Sequence, residues 1–106
     1  MLKSQWFHIL LSLADRDLHG LAIRDEVLER TRGQMHLWPA MLYGSLKKLG
    51  DAGYIVESEG PSDLDPGGGR PRVFRITEAG RSVLADEVRE LERYVNVAQA
   101  KGSGSP

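Results

Sequence analysis

One glycine- and proline-rich stretch limits what this chain can fold into. Residues 60–69 read GPSDLDPGGG, and a segment of this composition predicts a turn-rich loop. The segments on its two sides, 54–59 and 72–76, alternate apolar and polar residues as strands do. Together they predict a two-stranded hairpin with a mobile tip.

Hydrophobic periodicity upstream of this hairpin predicts two helices. The first spans residues 4–14, and its apolar residues cover most of the circumference, which predicts contacts on two sides, one of them with another subunit. The second runs from about Gly20 to Arg32, and Gly33 is placed to end it as a C′ glycine. Residues 35–37 then alternate apolar and polar, which predicts a short strand.

A third helix is predicted to begin with Pro39 at its first position. At about 100° per residue, its buried stripe consists of Leu42, Leu46, Leu49 and Gly53. The opposite face presents small and charged side chains, namely Ala40, Gly44, Lys47 and Asp51, with Tyr43 and Lys48 at its edges. Small residues let another molecule approach the helix backbone closely, and the lysines place positive charge beside it.

The last helix is predicted to start at Thr77 and to carry an apolar seam. Its members follow one another at spacings of 4, 3, 4 and 3 residues: Leu84, Val88, Leu91, Val95 and Ala98. Such a seam is typical of a helix that packs on a partner helix, so we expect it to form a homodimer contact together with Trp6 and Leu10. Residues 101–106 are a Gly/Ser-rich flexible tail or an expression remnant.

The predicted order is helix, helix, strand, helix, strand, strand, followed by an added helix. This order indicates a mainly α fold with a small β-hairpin (α+β), a winged helix-turn-helix over residues 1–78 with a dimerisation helix over 79–100. In such a fold the third helix can enter the major groove of DNA, and the hairpin tip can lie over the adjacent backbone. The expected DNA-contacting residues are Ala40, Tyr43, Gly44, Lys47, Lys48, Arg70 and Arg72.

Several segments, taken in order, resemble the PadR family of bacterial transcriptional regulators. They are LHG at 18–20, PAMLYGSLKKL at 39–49, GYI at 53–55 and GRPRVFRITEAGR at 69–81. The resemblance implies a homodimeric DNA-binding repressor of the short branch, with one helix after the wing. Trp38 stands where the family usually has a small polar residue, and Met41 stands where it usually has Thr.

A second function stays open, because the formal net charge of −1 is close to neutral. A winged-helix module that binds a protein would use the hydrophobic Trp38 and Met41 for that purpose. Convergence of Lys47, Lys48, Arg70 and Arg72 on one surface of the dimer would favour DNA, and their dispersal would favour a protein partner. Trp6 and Tyr94 are expected mainly in the core or interface, and alternatively beside a cleft between subunits that accepts a planar hydrophobic effector.

Other classes of function have no support in the sequence. The chain has 106 residues and no cysteine, which excludes disulfides, thiolate zinc sites and cysteine nucleophiles. His8, His19 and His36 lie on separate elements with no metal-binding motif, and no catalytic or cofactor motif is recognisable. No apolar stretch approaches the roughly 20 residues of a membrane span, so a cytoplasmic protein is expected.

Overall fold

The computed structural model describes residues 1–58 and 72–102, in which helices surround a three-stranded antiparallel sheet. The predicted winged helix-turn-helix with an added helix is confirmed. In chain order the elements are α1 (Ser4–Ser12), β1 (Leu18–His19), α2 (Gly20–Arg30), α3 (Pro39–Asp51), β2 (Ile55–Ser58), β3 (Val73–Ile76) and α4 (Glu78–Ala100). The predicted hairpin tip with Arg70, and the end of the tail, lie outside the described residues.

The first strand of the sheet lies elsewhere than the sequence predicted. Residues 35–37 form no strand, whereas Leu18 and His19 pair with Phe74 and Val73 at one edge of β3. On its other edge β3 pairs with β2, so the sheet order is β1-β3-β2. Three alternating residues are too short a pattern to specify a strand, and Leu37 is buried in the core from a segment without regular secondary structure.

The end of α2 also differs from the expectation. Arg32, with a φ of 54°, occupies the left-handed C′ position that the sequence assigned to Gly33. The Arg32 N–H donates to the Glu29 carbonyl at 3.0 Å, and the Gly33 N–H donates to the Leu28 carbonyl at 2.8 Å. These two bonds form a Schellman motif with the glycine one position later than predicted.

Arg30 joins α2 to α1. Its guanidinium donates to the Ser12 hydroxyl at 2.9 Å, to the His8 carbonyl at 3.2 Å and to Glu26 at 3.0 Å. This arrangement satisfies the fully buried Ser12 hydroxyl. Burial, and secondly the nearby Arg30 charge, lower the pKa of His8 below its usual value.

The hydrophobic core lies between α1, α2, α3, the sheet and the first half of α4. Leu42, Leu46 and Leu49 are buried as predicted, but Gly53 is exposed and lies beyond α3 with a φ of 83°. Leu10 and Leu84, which we expected at the dimer contact, are 0% and 8% exposed within the single chain. Both side chains fill the core of their own chain, and their place in a dimer contact stays a prediction of the sequence.

A set of hydrogen bonds fixes the start of α4 on the end of α3. Thr77 caps α4 by accepting from the Gly80 N–H at 3.0 Å, and its hydroxyl donates to the Gly53 carbonyl at 2.6 Å. The Thr77 N–H donates to the Tyr54 carbonyl, and a Cβ added at Gly80 would lie 2.1 Å from that same oxygen. Glycine is therefore required here for the helix to approach the chain that follows α3.

The division of the chain into a DNA-binding part and a dimerisation helix at residue 78 remains an interpretation of the sequence.

Candidate nucleic-acid interface

The outer face of α3 is open to solvent. Ala40, Gly44, Lys47 and Lys48 are all exposed, and a Cβ added at Gly44 would meet no atom within 4 Å. The helix backbone is therefore accessible along this face. All four residues are thus on the solvent-exposed side of α3, with Lys48 at the edge of the face as the sequence analysis expects.

Tyr43 is held at the edge of this face by a residue that the sequence analysis did not single out. Its hydroxyl oxygen lies 3.0 Å from the position that a Cβ on Gly20 would occupy, and two ring carbons lie 3.2 and 3.3 Å away. Gly20 thus provides the space in which the phenol ring packs on the start of α2. A glycine at the first position of a helix gives no hint of this packing in sequence.

Arg72 lies beside the same face of α3, although it belongs to the chain that enters β3. Its guanidinium lies 5.3 Å from the centre of the Phe74 ring and 6.0 Å from the centre of the Tyr43 ring. Two of its nitrogens contact Glu57, with distances of 2.7 Å from Nε and 2.5 Å from Nη2 to the carboxylate oxygen. Aromatic faces and a carboxylate together orient this cation.

Lys47 and Arg72 line one groove. The groove lies between α3 and the β2–β3 hairpin, has a volume of about 490 Å³ and includes Tyr43 and Glu57 in its walls. Two predicted contact residues from separate elements are thus brought together. Lys47 also forms an ion pair with Asp51 at 3.1 Å, one turn further along α3.

Lys48 lies on the other side of the face. Together with Lys3 it lines a cleft of about 190 Å³ between α1 and α3, whose walls also include Ala40, Met41 and Gly44. Lys48 forms no ion pair within the described ranges 1–58 and 72–102. The sequence analysis did not select Lys3, because its approach to α3 depends on how the two helices pack.

Large apolar side chains lie at the beginning of α3. Trp38 is the N-cap residue and is 62% exposed, and Met41 is 45% exposed. The Trp38 ring stacks on the His36 ring with 3.6 Å between ring centres and 19° between planes. The indole is thereby oriented although it contributes no capping hydrogen bond.

The second half of α4 leaves apolar surface uncovered. A groove of about 460 Å³ is lined by Phe7, Val88, Leu91 and Val95, and Leu91 and Val95 are exposed in the single chain. Of the predicted seam, Leu84 is buried, Val88 and Ala98 are half-buried, and Leu91 and Val95 are exposed.

Trp6 and Tyr94, the candidate effector residues, line the same cleft. This cleft has a volume of about 610 Å³, and Asp86, Glu87 and Glu90 supply carboxylates to its wall. Glu87 is buried and accepts a hydrogen bond from the Leu2 N–H at 3.3 Å. The two rings therefore line one cleft within a single chain, and the alternative of a cleft between subunits stays a prediction.

The described residues also bear on metal sites and on membrane-spanning helices. Within residues 1–58 and 72–102, no three histidine or carboxylate side chains are grouped so that they could hold a metal ion. In the same part of the chain no helix has the length and apolar character of a membrane span.

Comparisons with known proteins agree with this geometry. Residues 9–86 match the Transcriptional regulator PadR-like family. The transcriptional regulator Rv3488 of Mycobacterium tuberculosis is 34% identical over 85 residues, which are 80% of this chain and 73% of that protein. A PadR family transcription regulator from Clostridium difficile R20291 has a TM-score of 0.77 at 21% identity, covering 92% of this chain and 97% of the other.

A further solved structure, Bacillus subtilis PadR in complex with operator DNA, has a TM-score of 0.69 at 22% identity. It covers 83% of this chain and 48% of that one. The two solved structures show a shared fold, while the family match and the mycobacterial relative show kinship in sequence. The chain belongs to the PadR-like family of transcriptional regulators, which are not enzymes.

Proposed function

We propose that this regulator binds double-stranded DNA as a homodimer and represses transcription from a pseudo-palindromic operator. The observation that carries the proposal is the groove in which Lys47 of α3 and Arg72 of the hairpin converge. Cations from two elements, placed around an exposed helix with small residues, suit a helix in the major groove and a hairpin on the neighbouring phosphates. The fold is shared with Bacillus subtilis PadR, whose structure contains operator DNA.

The position of the cations around α3 supports DNA binding, with Lys47 and Arg72 paired to Asp51 and Glu57 in the same groove until a phosphate competes for them. Lys48 and Lys3 line the cleft on one side of α3, and Lys47 and Arg72 line the groove on the other. Cations on both sides of one exposed helix support DNA as the partner over the alternative of a protein-interaction module. Fluorescence anisotropy tests the proposal by measuring the affinity of the protein for two duplexes of equal length. One duplex comes from the gene's own upstream region, the other has a random sequence, and both are measured over a series of KCl concentrations.

We expect tighter binding to the upstream duplex and a steep loss of affinity for both duplexes as salt rises. Run-off transcription from the same upstream region should decrease when the protein is added. Binding to neither duplex at low salt would contradict the DNA-binding proposal. Binding accompanied by increased transcription would contradict only the repressor role.

The homodimer is proposed on the uncovered apolar groove of α4. Leu91 is 37% exposed in the single chain and lies beside Phe7 and Val95, so a second copy would bury this surface. Leu91→Glu should dissociate the dimer in sedimentation velocity, because it places an unpaired carboxylate in the contact. Ser82→Glu is the matched control, since Ser82 is exposed and lies nine residues away, on the opposite side of a helix with about 100° per residue. Dimers that persist in Leu91→Glu would remove this face from the assembly.

An effector site between Trp6 and Tyr94 is also proposed. The carboxylates of Asp86, Glu87 and Glu90 in the same cleft favour an uncharged or cationic planar molecule over an anionic one. Such a ligand changes DNA binding only if it prefers one arrangement of the two subunits over another. N-phenylnaphthylamine, an uncharged planar probe, can be followed by quenching of Trp6 in a Trp38→Phe background. Affinity that is unchanged by Tyr94→Ala would contradict the site.

A further inference from the structure

Trp38 is exposed at the position where α3 begins, and it neither packs in the core nor caps the helix. It is 62% exposed, so the core does not use it, and its side chain forms no capping hydrogen bond. A large exposed apolar group that is rimmed by polar residues commonly marks a contact with another molecule. The stack on His36 holds the indole in one orientation, so little side-chain freedom remains to be lost on binding.

Met41 is a second large exposed apolar residue near the start of α3, three residues after Trp38. It is 45% exposed and lines the cleft that also contains Lys3 and Lys48. The exposed Met41 side chain is therefore bordered by cations, and Ala40 and Gly44 line the same cleft. Apolar groups bordered by lysines are complementary to a polyanion that presents apolar groups of its own.

The major groove of DNA presents one such apolar group, the C5-methyl group of thymine. Residues at the N-terminal end of a recognition helix are those that reach base edges in the helix-turn-helix arrangement. We propose that Trp38 and Met41 determine operator specificity by contacting thymine methyl groups in each half-site. This proposal rests on the proposed DNA binding. It adds that Trp38 and Met41 are the residues that distinguish thymine, and that the methyl group is what they recognise.

The experiment begins with duplexes that the wild-type protein selects from a randomised pool. Each thymine of the selected sequence is then replaced by deoxyuridine, which removes the methyl group and leaves the base pair intact. At one or more thymines per half-site, we expect about a fourfold loss of affinity per removed methyl, from the burial of one carbon group. Trp38→Ala or Met41→Ala should abolish this sensitivity at the thymine that each residue contacts, whereas both variants should keep the salt dependence of the wild type.

A second Trp38 variant separates recognition from folding. Trp38→Ser places a hydroxyl at the N-cap of α3, so we expect a higher unfolding temperature together with the loss of thymine-methyl sensitivity. Val97→Ala is the matched control, because Val97 is an exposed apolar residue on α4 and should affect neither property.

The outcomes distinguish the two proposals. A wild-type protein that enriches no sequence from the pool overturns sequence-specific DNA binding, and this inference with it. Enrichment without deoxyuridine sensitivity at any position overturns the inference and leaves DNA binding intact. Sensitivity that persists unchanged in Trp38→Ala and Met41→Ala also overturns it, and the exposed surface would then belong to a protein partner.

Discussion

The ion pair between Glu57 and Arg72 is expected to restrain DNA binding. In the free protein the guanidinium donates to Glu57 at 2.5–2.7 Å, and both side chains are about half exposed. A phosphate has to compete with this carboxylate for the same nitrogens, and the negative charge of Glu57 repels it. Glu57→Gln should therefore tighten binding, although the substitution removes an ion pair that the structure contains.

The size of the effect follows from the exposure of the pair. An exposed ion pair contributes roughly 0.2–1 kcal/mol, and a dimer contains two copies, which gives about 0.4–2 kcal/mol. The dissociation constant should therefore fall by a factor of about 2 to 30. Arg72→Ala should instead weaken binding to specific and random duplexes alike and reduce the log–log salt slope by about 1 per subunit.

Fluorescence anisotropy on the two single variants and the double variant measures the coupling between these residues. Glu90→Gln is the matched control, because Glu90 is also paired with an arginine, Arg93, but lies on α4. We expect the gain from Glu57→Gln to shrink at least by half in the Arg72→Ala background. An equal gain in both backgrounds would show that Glu57 acts only as a general repulsive charge, and no gain at all would refute the competition between carboxylate and phosphate.

Three further predictions concern affinity, stability and pH. Lys47→Ala should weaken binding to all duplexes and reduce the salt slope by about 1 per subunit, measured by anisotropy over a KCl series; an altered base preference at constant slope would mean that Lys47 reads bases. Gly80→Ala should destabilise the protein by about 1–3 kcal/mol, because the new Cβ would lie 2.1 Å from the Tyr54 carbonyl, whereas Gly50→Ala, with open space around it, should not; equal melting temperatures in thermal unfolding would refute this. Because the folded-state pKa of His8 is lowered, the free energy of unfolding should decrease as pH falls through about 6.5 toward that lowered value, and urea titrations of His8→Gln should show a smaller decrease.

The sequence predicted those elements whose signals are local. Pro39 marks the first residue of α3, and Thr77 caps α4 through its own hydroxyl, so both helices begin where expected. Strand β1 was missed because two residues carry no periodicity of their own. Leu18 and His19 form a strand only because β3 offers them backbone partners, and that pairing joins residues more than fifty positions apart.

The candidate site was predictable in its residues but not in its contacts. The outer face of α3 follows from helix geometry, which places Gly44 and Lys47 opposite Leu42. The contribution of Lys3 and the packing of Tyr43 on Gly20 depend on how helices meet in space. An apolar seam likewise does not distinguish a partner in the same chain from a partner in another, and Leu84 of the predicted seam packs in the core of its own chain.

The direct junction between the hairpin and α4 has a consequence for how such regulators diverge. Thr77 is the only residue between β3 and α4, and its bonds to Gly53 and Gly80 leave no adjustable linker. In a dimer built on α4, one residue inserted into that helix would turn the part that follows by about 100°. Seven inserted residues would return the apolar seam to its original side and lengthen the helix by about 10.5 Å. The separation of the two half-sites would therefore change in discrete steps during evolution. Duplicated genes that keep the same α3 but differ in α4 length would bind the same half-sites at different separations, and their regulatory circuits would become insulated from each other.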